Sequence, residues 1–337
     1  MFDLNMLDTS RIAVQVALYK SAARLPKLLA SLKAQTIHDW ELHLYDNSCD
    51  PAEEARVRSC ILQSGMLCQF TFGQKNLGFT AHNEMFHAHN ADFVFILNDD
   101  VDLAPTYFEK CLERMESDQN CASVTGLLYR EDGSLIDTAG MKYGCLGHIT
   151  EWFAGVPVEK AALFVKAAHQ IFGVPCVAAL FRRSAIEAVS PDGVPFDPTF
   201  FMYKEDADLA VRLRRKGFTS WFEPQATGVH LRGVKETGGS VSARIRDERS
   251  RPLKLREQMY QNQWAMFIYH MSWKLGFSDL IRSLWFEELR GASLFFLGSP
   301  FAYFRAWHNI HKSWAYYQTR RKQLESMGLA HVSLREV

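Results

Sequence analysis

The sequence predicts an α/β fold: a mostly parallel sheet flanked by helices, followed by a helical extension. Three observations carry this. Short β-rich apolar runs alternate with amphipathic stretches over residues 11–97, as βαβ units do. Phe93-Val94-Phe95-Ile96-Leu97 is unbroken apolar sequence, as in a strand covered on both faces. That run stops at Asn98-Asp99-Asp100-Val101-Asp102, so side-chain oxygens crowd the carboxyl edge of the sheet, where open α/β sheets bind ligands.

The elements follow in order. Arg11 to Leu18 is a first strand. Leu25, Leu28, Leu29 and Leu32 then repeat at helical spacing, with Ser21 as the expected N-cap. Trp40 to Tyr45 is a second strand, ending in Asp46-Asn47-Ser48. Pro51 opens a helix with Glu53 and Glu54 in its first turn, where the helix dipole favours acid. Leu67 to Phe72 is a third strand, and Asn76-Leu77-Gly78-Phe79 leads into a helix reaching about His89. Helix is expected over 105–117 and strand over 121–129, with Glu131-Asp132-Gly133-Ser134 as a turn and Val174 to Phe181 as another strand. An aromatic stretch, 196–203, runs into a helix that begins Glu205-Asp206-Ala207-Asp208 and stops at Gly217. Two short strands, 218–222 and 227–230, complete this part.

After Gly238-Gly239 the composition becomes basic and aromatic, and Trp264, Phe267, Ile268 and Met271 fall on one helical stripe. We divide the chain at about 240 on this change of composition, into an α/β domain (1–240) and a helical C-terminal extension (241–337). A basic aromatic stripe suits a lipid surface, a second copy of the chain, an acceptor, or simply a core.

Composition removes several classes. The 38 basic and 38 acidic residues cancel, so no global field steers the chain to nucleic acid. Seven cysteines, an odd number with no Cys-x-x-Cys pair, argue against a disulfide framework or zinc site and for a reducing compartment. No signal-peptide pattern opens the sequence, and no apolar run reaches the ~20 residues of a spanning helix. The expectation is a cytoplasmic protein, at most resting on the inner face of a membrane. No Gly-x-Gly-x-x-Gly and no Walker-type loop is present, which disfavours dinucleotide and P-loop chemistry.

Parallel strands share one carboxyl edge, so the polar clusters near Tyr19, at Asp46 to Ser48 and at Asn98 to Asp102 should meet. Clustered carboxylates repel unless a cation lies between them, and oxygen ligands favour Mg²⁺ or Mn²⁺. The same residues also suit a turn or an N-cap. Glu205, Asp206 and Asp208 serve either as dipole stabilisers of a helix start or as the source of a general base walled by Phe200, Phe201 and Tyr203. His230, at a strand end, is either a structural residue or a ligand completing the Asp cluster.

Taken together, Leu44-Tyr-Asp-Asn-Ser48, Asn76-Leu-Gly-Phe79 with Asn83, Leu97-Asn-Asp-Asp-Val101, Phe196 to Leu209 and His230 resemble the family 2 glycosyltransferases, in particular a rhamnosyltransferase-like subgroup of polysaccharide assembly. The resemblance covers roughly 10–235. It implies the GT-A fold and a metal-dependent, inverting hexosyl transfer from a nucleoside-diphosphate sugar, with UDP- and dTDP-sugars as candidate donors. A glycan or lipid-linked acceptor would receive the sugar. Asp206 matches the catalytic base and Glu205 its neighbour in the Glu-Asp motif. Asp46 matches the contact to the nucleotide base, and Asn76, Gly78 and Asn83 the nucleotide pocket. Asn98 and Asp100 match the outer positions of the Asp-x-Asp motif, and His230 a histidine that joins the metal in some members. Asn98 in place of Asp removes one charge, so Asp99 and Asp102 also stand as candidates around the metal. Arg232 is a further candidate, for the diphosphate. A glycine-rich stretch, 233–240, is the expected mobile loop. Peripheral membrane contact and self-association through the C-terminal helices are the partner surfaces this implies. The readings set against it are a nucleotidyltransferase of related topology and a non-catalytic sugar-nucleotide-binding module.

Overall fold

The computed structural model describes residues 10–144, 149–231, 251–270 and 277–329. Its strands are β1 (Ile12–Leu18), β2 (Trp40–Asp46), β3 (Gln69–Phe72), β4 (Phe93–Leu97), β5 (Val101–Leu103), β6 (Cys121–Arg130), β7 (Ile136–Thr138), β8 (Met141–Tyr143), β9 (Ile149–Glu151), β10 (His169–Ile171), β11 (Ala178–Arg182) and β12 (Thr219–His230). Its helices are α1 (Leu25–Lys33), α2 (Pro51–Ser64), α3 (Ala81–His87), α4 (Tyr107–Ser117), α5 (Arg183–Val189), α6 (Glu205–Arg215), α7 (Leu253–His270), α8 (Phe277–Leu297), α9 (Pro300–Lys312) and α10 (Trp314–Ser326).

One mixed, mostly parallel sheet organises these elements in the order β10-β12-β6-β11-β4-β1-β2-β3, with β5 on β12 and β7 on β6. Strand β1 lies parallel to both β2 and β4, and β2 parallel to β3. Strand β11 runs antiparallel between β4 and β6. Side chains alternate across β4 as a pleated strand requires. Phe93, Phe95 and Leu97 enter one core with α1, α2 and α4. Val94 and Ile96 enter the other with α3, α5, α6 and the C-terminal helices. Each fully buried Phe or Leu contributes roughly 2–3 kcal/mol, and Phe95 is anchored further by Phe108, 4.5 Å away between ring centroids.

Three local expectations change. Ser21 does not cap α1: no side chain caps that helix. The Ser21 hydroxyl instead accepts from Tyr19 N and donates to Asp99, because the chain turns between residue 21 and the helix start. Residues 218–222 and 227–230 belong to one strand, β12, whose register on β6 shifts between Glu223 and Thr227; a bulge absorbs the extra residues without ending the strand. Strand begins at Ala178 rather than near 174 and includes Arg182.

The C-terminal helices pack into the molecule. Trp264 and Ile268 are buried, in the same core as Phe196, Leu209, Ala306 and Leu324, so this stripe is core. Met271 and the division near 240 lie outside the described residues. Exposed apolar side chains instead stand on α8 and α9: Trp285, Phe296, Phe301 and Phe304. No described helix is long and apolar enough to cross a membrane.

Candidate active site

The register of the sheet gathers the polar clusters. Leu18 pairs with Asp46, and Val16 with Leu97, so β1, β2 and β4 end together. Strand β5 turns back antiparallel onto the end of β12, pairing Val101 with His230. Leu231 N donates to Asp100 O at 2.8 Å, which brings His230 to the Asp cluster. On the far side of β4, Asn98 N donates to Val177 O at 2.8 Å. The backbone N–H of the preceding residue, Cys176, lies near enough to the Asp206 carboxylate to favour its charged form. Asp100, His230 and Asp206 therefore share one edge of the sheet, with residues 176–178 between them.

His230 lies between two carboxylates. Its Nε2 is 3.0 Å from Asp100 Oδ1, and its Nδ1 is 2.7 Å from Asp137 Oδ2. Burial opposes the charged imidazole, but hydrogen bonds to Asp100 and Asp137 outweigh it and raise the pKa to about 9. The same contact with His230 holds Asp100 below the usual carboxylate range against the opposing effect of burial. Asp137 escaped the sequence reading. It is fully buried on β7, beside β6, which also pairs with β12 along its last residues, up to Arg130 with His230.

This pair fits a divalent cation. Its donors, one carboxylate oxygen and one imidazole nitrogen, stand 3.0 Å apart, hydrogen-bonded to each other. Among the described residues no three His, Cys, Asp or Glu side chains converge as a cage. One carboxylate, one imidazole and ligand oxygens is the usual economy for Mg²⁺ or Mn²⁺ bound together with a phosphorylated substrate. Asp137 would then fix the ring with Nε2 toward the metal, as partners of ligating histidines do. Asp137→Asn should weaken Mn²⁺ binding roughly 10- to 100-fold, as read by electron paramagnetic resonance titration. Undiminished affinity would remove Asp137 from this role.

The other acidic candidates face α1. Asp99 Oδ2 accepts from Arg24 Nη2 at 2.7 Å as well as from Ser21. Asp102 Oδ2 is 3.1 Å from Lys27 Nζ. Both carboxylates are thus paired with cations on or beside α1.

The nucleotide-pocket candidates form a scaffold. Asp46 is buried and accepts from Ser48 N (2.8 Å) and Ser48 Oγ (2.9 Å); burial raises its carboxyl pKa despite those bonds. Asn76 Oδ1 accepts from Gly78 N at 2.8 Å. Gly78 has φ +59°, and a Cβ there would stand 2.2 Å from Phe201 O, so only glycine fits. Phe79 N donates to Phe201 O (2.8 Å), and Asn83 bonds both the N–H and the carbonyl of Phe196. These residues tie the 76–83 segment to the 196–201 stretch leading into α6.

At the start of α6, Glu205 is buried and Asp206 half-buried. Burial and the charge of Asp206 push Glu205 well above the ordinary carboxyl range. Burial also raises Asp206, but N–H groups of Ala207 and Cys176 and the charge of Lys204 oppose it. Of the two, Asp206 is the less strongly raised. Asp208 instead faces inward, to Arg212 Nε (2.8 Å) and His270 Nε2 (2.7 Å). Tyr203 and Lys204, just before the helix, have φ of 70° and 76°; left-handed backbone costs a non-glycine residue on the order of 1 kcal/mol. The sequence gives no sign of that turn. Arg232 and the loop 233–240 lie outside the described residues.

Comparisons with known proteins agree with this architecture. The family model for glycosyl transferase family 2 matches residues 13–190. No curated protein sequence matches the chain. Among solved structures, GalNAc-T7 with UDP, GalNAc and Mn²⁺ is similar at TM-score 0.55 and 12% identity, over 78% of this chain and 48% of that one. The chain thus spans about half the length of GalNAc-T7. The mannosyltransferase PcManGT from Pyrobaculum calidifontis, in complex with GDP-Man and Mn²⁺, is similar at TM-score 0.53 and 14% identity, over 96% of this chain and 87% of that one. At these identities the likeness is one of fold, the GT-A type.

Proposed function

The chain belongs to glycosyl transferase family 2, and we propose that it moves a sugar from a nucleoside-diphosphate donor to a hydroxyl of a glycan or lipid-linked acceptor, inverting the anomeric carbon. The observation that carries this reading is the convergence of the Asp100–His230 pair and Asp206 on one sheet edge. A cation pair alone would serve a binding module. A separate carboxylate adds the means to remove a proton. The mannosyltransferase and GalNAc-T7 structures, with their nucleotides and Mn²⁺, support Mn²⁺ or Mg²⁺ as cofactor.

Asp100 and His230 would hold a divalent cation, which would supply positive charge to the leaving diphosphate. Asp206 accepts the acceptor hydroxyl's proton as its oxygen bonds to the anomeric carbon, and the bond from that carbon to the diphosphate breaks on the opposite face. One such displacement inverts the centre. Glu205, beside it, has an Oε2 with no hydrogen-bond partner among the described residues, which suits it to a substrate hydroxyl. Asp46, Asn76, Gly78 and Asn83 shape the nucleotide pocket through the backbone they hold, and Asn98 and Asp99 border the diphosphate. We assign donor binding to residues 1–240 and regard 241–337 as the helical extension. Within the family, the motifs favour a rhamnosyltransferase-like hexosyltransferase of surface polysaccharide assembly using a UDP- or dTDP-sugar. Release of nucleoside diphosphate from a panel of UDP-, dTDP- and GDP-sugars, with Mn²⁺ and with chelator, tests the reading. Mn²⁺-dependent binding without turnover would favour the binding module, and a new sugar nucleotide among the products the nucleotidyltransferase.

Exposed Trp285, Phe296, Phe301 and Phe304 favour peripheral contact with a membrane carrying a lipid-linked acceptor, since aromatic side chains partition into the headgroup layer. The intact protein should float with anionic liposomes, and a variant with all four changed to Ser should not. Equal flotation of the two would reject the contact.

A further inference from the structure

The turn that aims Asp206 is gripped from outside the sheet domain, by one amide on α7. Asn262 is 2% exposed. Its Nδ2 donates to Met202 O at 2.9 Å and to Tyr203 O at 2.7 Å, so both hydrogens of the amide are used. Its Oδ1 accepts from Gln258 Nε2 at 2.7 Å, and that nitrogen also reaches Thr199 O at 3.3 Å. Two amides one helical turn apart thus line the 199–203 backbone. The carbonyls they hold belong to the residues entering the left-handed pair Tyr203–Lys204, which sets the first turn of α6 and with it Asp206. Without those bonds, Tyr203 and Lys204 relax toward ordinary right-handed or extended backbone.

We propose that Asn262, oriented by Gln258, is a positioning residue for the base, so that the C-terminal helices complete the active site. The inference rests on Asp206 being the base. A buried amide on α7 thus spends both its hydrogens on a turn of the sheet domain. The other ties from α7 lie on either side of the turn: Tyr269 OH to Asp197 Oδ2 at 3.0 Å before it, and His270 Nε2 to Asp208 Oδ1 at 2.7 Å within α6.

The test compares Asn262→Ala, Asn262→Asp, Asp206→Asn, the double variant Asn262→Ala/Asp206→Asn, and Gln263→Ala. Gln263 is the buried neighbour whose Oε1 has no hydrogen-bond partner among the described residues. The readouts are turnover of the best sugar nucleotide in the panel, calorimetric affinity for UDP or GDP with Mn²⁺, and Tm. Both Asn262 variants should lose up to about 100-fold in kcat, since misplacing a reacting group by an ångström costs that much, with nucleotide affinity unchanged. The double variant should be no slower than Asp206→Asn alone, because Asn262 acts only through Asp206. A kcat loss no larger than that of Gln263→Ala, or a loss that multiplies with that of Asp206→Asn, would overturn the positioning role. Full activity in Asp206→Asn would instead overturn the base assignment and the inference with it.

Discussion

Asp206→Asn should abolish transfer while leaving donor binding nearly intact. The asparagine keeps the size of the side chain but offers no basic oxygen. A general base contributes about 10²- to 10⁴-fold, so kcat should fall by that factor while calorimetric affinity for the nucleoside diphosphate with Mn²⁺ stays at the wild-type value. The pH profile provides a second check. Burial raises the Asp206 pKa, and activity requires the ionised form, so kcat should decline on the acid side at a pH above the ordinary Asp range. In Asp206→Asn that acid limb should vanish along with the activity it reports. A fully active Asp206→Asn would sink the base assignment, and an acid limb retained in a residually active variant would move the titration to another group.

Much of the sheet was legible because its central strands are simple. A fully apolar strand such as 93–97 has one stable place, between two layers of helix, and the Leu25, Leu28, Leu29, Leu32 repeat leaves α1 only one face to bury. The reading weakened where short strands depend on partners. Strands β7 to β10 have three residues each, too few to show a period. Strand β11 is antiparallel, and nothing local to 178–182 distinguishes this from the parallel neighbour that alternation predicts. The break read between 222 and 227 follows from Glu223, Pro224 and Gln225, which a bulge carries through the sheet.

The site divides in the same way. Asp46, Asn98 to Asp102 and Asp206 follow strands or begin a helix, so their position in sequence fixes the edge they occupy. Direction at that edge is a matter of neighbours: Asp99 and Asp102 turn to Arg24 and Lys27 while Asp100 turns to His230. Asp137 could have been suspected, since Ile136-Asp137-Thr138 sets an acid between strand formers just after a turn. Asn262 could not: an amide between Gln261 and Gln263 reads as surface until its partners are known.

His230→Ala should remove the Mn²⁺ dependence of nucleotide binding, and the wild-type protein should release a proton when Mn²⁺ binds. Both follow from the site of the proton. Near pH 8 the imidazole, with its pKa raised to about 9, is mostly charged and hydrogen-bonded to Asp100 and Asp137. A cation at Nε2 can bind only the deprotonated nitrogen, so binding must expel that proton. Calorimetry at pH 8 in buffers of different ionisation enthalpy should give close to one proton released per Mn²⁺ in the wild type and none through this group in His230→Ala. Without metal the same shift stabilises the fold. A folded pKa above the ordinary 6.5 means the contribution is complete below pH 6.5 and is lost as pH rises through 9. Its size is on the order of 3 kcal/mol, enough to lower Tm of the metal-free protein visibly between pH 7 and 10. Mn²⁺ should therefore stabilise the protein more strongly at high pH, where no proton has to leave. Mn²⁺ stabilisation that is independent of pH, or equal in His230→Ala, would place the cation elsewhere.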